Sequence, residues 1–241
     1  MKNFIIILLV LVFTDLHAQE LKVTYNNRVL IDSTQLEKAD RKIREILLTS
    51  AKGEDYELMI YNGVSLYEPM TLIEDKSINT SSTNSMTNYN YYETIFNDYN
   101  GKERTSSIKY SGETFLIIEK LEPIDWQIMQ ETKKIDSYDV KRAEAVVDGS
   151  NVTVWFTDKI PVSAGPSNFF GLPGLILQAQ FGKRLITAKK IEPLTGSISL
   201  VPPVKGKKYS RKEYDDLIDA ENNVKEGTTR KGNTTTTVTR N

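Results

Sequence analysis

The chain of 241 residues contains no cysteine and a single histidine, His17. Disulfides and cysteine nucleophiles are therefore excluded. His17 itself sits in a segment expected to be removed. Lys2 precedes the uninterrupted apolar run Phe4 to Phe13, and Leu16-His17-Ala18 ahead of Gln19 forms a small-residue cleavage site, so residues 1–18 read as a secretory signal peptide. Once it is gone, neither imidazole nor thiol remains. Ser-His-Asp and Cys-His machinery is then absent, and carboxylate is the one side chain left among the usual zinc and copper ligands. No catalytic residue, metal site or cofactor is assigned.

Long apolar runs are also scarce. Phe4 to Phe13 is too short to cross a bilayer, and no other stretch approaches the roughly twenty residues that a transmembrane helix needs. Charge of one sign is lacking too. The net charge of −1 argues against a nucleic-acid partner, and the basic stretch Lys205 to Lys212 is balanced at once by Glu213 to Glu221.

What is present is largely strand-forming. After an extended Leu21 to Tyr25, the spacing of Leu36, Ala39, Ile43, Ile46, Leu47 and Leu48 predicts an amphipathic helix capped at Asp32 to Thr34. Alternating segments with turns at Asn62-Gly63, Ser111-Gly112, Asp148-Gly149 and Gly182 predict antiparallel hairpins from Tyr56 to Ile191. Residues 76–90 hold eleven Ser, Thr and Asn residues and read as a surface loop. Ser210 with Glu213 marks the start of a further short helix. The expected organisation is a signal peptide at 1–18, one β-rich domain at 19–226, and a flexible Thr-rich tail at 227–241. The expected fold class is α+β, with the N-terminal helix packed on a strongly curved antiparallel sheet, half-barrel or bowl-like.

Gly165-Pro166-Ser167-Asn168-Phe169-Phe170-Gly171-Leu172-Pro173-Gly174 is the densest mixture of Gly, Pro and large apolar residues. The prolines fix φ and disfavour helix in the residue before them, while Gly171 and Gly174 permit positive φ. Gly165, Pro166, Gly171 and Gly174 are read as shaping the loop. Trp126, Trp155, Phe169, Phe170, Leu172 and Pro173 are candidates for a ligand or partner surface, with burial in the core as the alternative. No carboxylate pair stands out, and no phosphate loop, nucleophile elbow or dinucleotide fingerprint is present.

Trp126, Glu131-Thr132-Lys133-Lys134-Ile135, Tyr138, Trp155-Phe156-Thr157, Ile160-Pro161, Gly165-Pro166 and Gly171-Leu172-Pro173-Gly174-Leu175-Ile176 together resemble the GLPGLI family of secreted Bacteroidota proteins over residues 122–192. Where members often carry Gly-Tyr-x-Cys, this chain has Ser137-Tyr138-Asp139-Val140. The resemblance implies a β-rich domain similar to the bowl-like N-terminal module of some peptide N-glycosidases. It also implies export to the periplasm or outer-membrane surface and partnership with a TonB-dependent outer-membrane receptor or another envelope protein. A non-catalytic accessory role follows. A glycan or glycopeptide module, a carrier of an apolar ligand and a carboxylate-based hydrolase are the alternatives.

Overall fold

In a computed structural model, the residues described are 20–70, 92–110, 112–196 and 198–229. The expected signal peptide, the polar tract 76–90 and most of the expected tail lie outside them. Leu21, Val23 and Tyr25 are buried and alternate with Lys22, Thr24 and Asn26, which makes β1 (Leu21–Val29). Two helices follow where the spacing predicts one. Asp32 caps α1 (Ser33–Lys38) by accepting from the Thr34 amide. Ala39 is extended, and Asp40 accepts from the Ile43 amide at 2.9 Å to start α2 (Arg41–Lys52).

The longer strands that follow are joined mostly by tight turns: β2 (Glu54–Tyr61), β3 (Val64–Pro69), β4 (Tyr92–Asp98), β5 (Glu103–Tyr110), β6 (Glu113–Lys120), β7 (Gln127–Ile135), β8 (Tyr138–Val147), β9 (Ser150–Thr157), β10 (Leu175–Phe181) and β11 (Arg184–Pro193). Asn62 and Gly63 have φ of 47° and 77°, and Asp148 and Gly149 have 50° and 73°. These positive angles match the twist of the flanking strands, so both dipeptides close hairpins. A three-residue strand, β12 (Lys207–Tyr209), precedes α3 (Arg211–Thr229), which the Ser210–Glu213 capping box starts.

All twelve strands belong to one open sheet in the order β12-β6-β5-β4-β3-β2-β1-β11-β10-β9-β8-β7. Every neighbouring pair is antiparallel except β12 with β6. The expected α+β class is corrected to mainly β. Leu47 is the one buried side chain of α1 and α2, so these helices cover too little of the sheet to form a second layer.

The core has three parts. Val23, Tyr25, Leu58, Tyr67, Ile95, Leu175, Leu177 and Ile186 belong to the central cluster. Ala143, Val154, Phe156, Phe169, Leu172 and Ile176 form a second under the β9–β10 connection. Ile108, Phe115, Ile117 and Tyr214 form a third beneath α3. Each fully buried Leu, Ile or Phe contributes about 1.5–3 kcal/mol.

Candidate functional site

The Gly/Pro stretch lies in the connection from β9 to β10 and is fixed from several sides. Leu175 donates its amide to the Ile160 carbonyl and Ile176 to that of Ala164, both at 3.0 Å. The Tyr25 hydroxyl donates to the Ile176 carbonyl at 2.6 Å. Trp126 gives its indole N–H to the Phe170 carbonyl at 2.7 Å, and Gly171 gives its amide to Ser163 Oγ at 3.1 Å. Arg104 Nη2 reaches the Asn168 carbonyl at 3.0 Å. Buried polar backbone groups need such partners, and here three separate strands and loops supply them.

The glycines act in two ways. Gly171 has φ +97°, the left-handed region that glycine reaches without strain. Gly174 serves close approach instead of turn geometry, since a Cβ there would stand 2.0 Å from the Thr157 carbonyl oxygen. At Gly165 a Cβ would stand 2.8 Å from Ile176 Cβ. Ser167 also takes positive φ, at 57°, a feature nothing in the sequence flags.

Sequence-derived candidates separate into groups. Phe169 and Leu172 are buried, with the Phe169 ring edge-on to Phe181 at 5.4 Å and to Trp126 at 6.3 Å. Pro166 is buried as well, whereas Gly171 and Pro173 are exposed. Phe170 is half-buried, 5.9 Å from the Tyr99 ring and 5.8 Å from the Arg104 guanidinium carbon. Trp155 lies elsewhere. Alternation along β9 turns it away from Val154 and Phe156, and Lys133 Nζ stands 4.1 Å over its ring while donating to Gln178 Oε1 at 2.6 Å. Trp126 and Trp155 therefore do not share one concavity.

Behind the loop runs a row of polar side chains that sequence reasoning missed. Ser65, Asn97, Arg104 and Glu119 are successive cross-strand partners on β3 to β6. Arg104 Nε donates to Asn97 Oδ1 at 2.9 Å, Asn97 Nδ2 to Ser65 Oγ at 3.3 Å, and Ser65 shares a 3.0 Å hydrogen bond with the Tyr99 hydroxyl. Glu119 lies 3.7 Å from Arg104 Nη1 and receives both Nε and Nη2 of Arg211 from α3. Burial pushes the Arg104 guanidinium below its ordinary value, and Glu119 opposes that shift. Burial raises Tyr99. Only cross-strand register reveals this row, and register is not visible in local composition.

Burial raises Glu54, Glu68 and Asp215, and Glu57, directly opposite Glu68 on β2, adds to the Glu68 shift. Among the described residues no group of His, Cys, Asp and Glu has the arrangement of a metal site.

Residues 141–178, from β8 through the Gly/Pro loop into β10, match the model of a family described as a protein of unknown function (Porph_ging). No curated protein matches. Two crystal forms of PNGF-II are similar in structure, with TM-scores of 0.53 and 0.50 at 18% and 17% identity. In each the match covers 83% of this chain and 33% of the other, so the chain spans about a third of the PNGF-II length. At this identity the likeness is one of fold. Both findings support the relationship suggested by the sequence motifs, under the Porph_ging description and not the GLPGLI name.

Proposed function

We propose that this chain is a non-catalytic binding protein of a Bacteroidota-type envelope, exported through the inner membrane, with its partner surface on residues 165–174. The carrying observation is preorganisation. The loop is fixed by Arg104, Trp126 and Ser163, yet Gly171 and Pro173 face outward and Phe170 stays partly accessible. A surface rigid before binding loses less conformational entropy on association. The partner in this reading is an outer-membrane receptor or another envelope protein.

The sheet itself is proposed to curve into a bowl with the loop on its rim. Six strand spacings, roughly 29 Å when flat, separate β5 from β10. Arg104 on β5 nonetheless reaches the loop that feeds β10.

The test is a photo-crosslinking residue at Pro173 in the native host. The expected result is a covalent adduct with one envelope protein, absent when the crosslinker replaces Lys42 on α2. Labelling equal at the two positions rules the reading out.

Glycan recognition is the second reading, favoured by the likeness to PNGF-II. It meets two obstacles in this chain: the Trp155 ring carries Lys133, and the Trp126 N–H is already donated to Phe170. A glycan array with wild type and Trp126→Ala decides it, because specific binding lost in the variant would establish it. The hydrolase alternative rests on Glu57 and Glu68, and retention of any hydrolytic activity by Glu68→Gln would remove that support.

A further inference from the structure

Residues 198–206 lie between β11 and β12, and their exposure repeats every third residue. Leu200 and Pro203 are half-buried, while Val201, Pro202, Val204 and Lys205 are exposed. Pro202 and Pro203 fix their own φ and hold the residue before each of them extended. An extended chain of this kind turns once in three residues, so Leu200 and Pro203 face the protein and Val201 and Val204 share one outward ridge. Val201 is 64% exposed and Val204 79%. The far end of the segment is fixed: at Gly206 a Cβ would stand 2.9 Å from the Thr114 carbonyl oxygen, and from Lys207 the chain pairs with β6.

Positive charge gathers at the same place. Of the basic stretch Lys205 to Lys212, Arg211 is paired with Glu119 at 3.1 Å and Lys212 with Asp216 at 2.6 Å. Lys205, Lys207 and Lys208 are exposed, and among the described residues no carboxylate forms an ion pair with any of them. Glu113 is near enough to act on Lys207 without pairing with it. The local balance of charge expected from the sequence therefore fails at these three lysines.

We propose that this segment docks on an anionic lipid bilayer, with Val201 and Val204 at the acyl boundary and Lys205, Lys207 and Lys208 on the headgroups. Exposed apolar side chains and unpaired cations presented together fit a surface that has hydrocarbon beneath negative charge; a soluble polyanion would take the lysines and leave the valines in water. Pro202 and Pro203 carry no N–H, which lowers the cost of taking this backbone out of water. Apolar insertion and a basic patch are each weak, and attachment takes both. The segment shares no residue with 165–174, so this site stands independently of the partner surface.

The experiment uses the form that begins at Gln19, which keeps every described residue and cannot bind lipid through Phe4 to Phe13. Saturable co-sedimentation is expected with vesicles of equimolar phosphatidylcholine and phosphatidylglycerol, and at least roughly tenfold weaker binding to phosphatidylcholine alone. Because the chain has no cysteine, Val204→Cys carries a single environment-sensitive fluorophore, whose emission should shift to the blue on the anionic vesicles. Lys205→Gln, Lys207→Gln and Lys208→Gln together should weaken binding about a hundredfold, and Val201→Asn with Val204→Asn about tenfold. All five positions are exposed, so the core is untouched. Absence of binding to the anionic vesicles, or of the blue shift, overturns the site. Binding that falls with the lysines but ignores the valines overturns it as well, and marks the patch as a contact for a polyanion or an acidic protein.

Discussion

At Gly174 the missing side chain is the functional property. A Cβ would overlap the Thr157 carbonyl oxygen and come within 3.0 Å of Asp158 Cα, both backbone atoms that cannot turn aside. At Gly171 the nearest atom to a Cβ is Trp126 Nε1 at 3.7 Å, an ordinary contact, so only the positive φ opposes substitution. Gly174→Ala should therefore cost roughly 3–5 kcal/mol and Gly171→Ala roughly 1–2 kcal/mol. Urea unfolding midpoints measure both, and equal losses would contradict the argument. The loop was legible as a loop because Gly and Pro punctuate it. Which glycine serves φ and which serves contact was not, since contact depends on Thr157, which is distant until β9 and β10 pair. Arg104 was hidden for the same reason: an arginine in an alternating strand reads as solvent-facing, and only Glu119, Asn97 and the Asn168 carbonyl make its inward position tolerable.

Among the elements, hairpins were readable and edges were not. Asn62-Gly63 and Asp148-Gly149 carry their own turn geometry. β4 was overlooked because it emerges from a polar tract, and β12 because three residues rich in lysine give no period. The single predicted helix became two because Asp40 caps as well as Asp32 does. The docking of α3 yields a further prediction. Tyr214 is buried edge-on against Phe115 at 5.3 Å, with Leu217 and Ile218 beside it. Tyr214→Ala should cost roughly 3 kcal/mol and loosen α3 together with β12. Trypsin should then cleave faster after Lys207 and Lys208. Asp216→Ala, which removes an exposed partner of Lys212, should leave cleavage unchanged.

At the scale of the whole molecule, the pairing of β1 with β11 joins residues as distant as Leu21 and Pro193, and no local signal announces it. That closure places Tyr25 at the centre of the sheet, and it joins three other tyrosines held protonated. Burial raises Tyr25, Tyr67 and Tyr99 above their ordinary value, and raises Tyr214 to about 12. The unfolded chain releases these protons near pH 10 while the folded chain retains them. Their contribution to stability is thus complete below pH 10 and lost as pH rises above it, with a slope of about 1.4 kcal/mol per pH unit for each tyrosine. Each group that stays protonated in the folded chain therefore takes away from a domain stability of about 5–15 kcal/mol as the pH climbs past 10. Alkaline titration followed at 295 nm should show the exposed tyrosines ionising first. A cooperative step should then coincide with loss of the strand circular dichroism. Smooth ionisation of every tyrosine before the strand signal changes would mean that Tyr25 and Tyr67 are not sealed in the core.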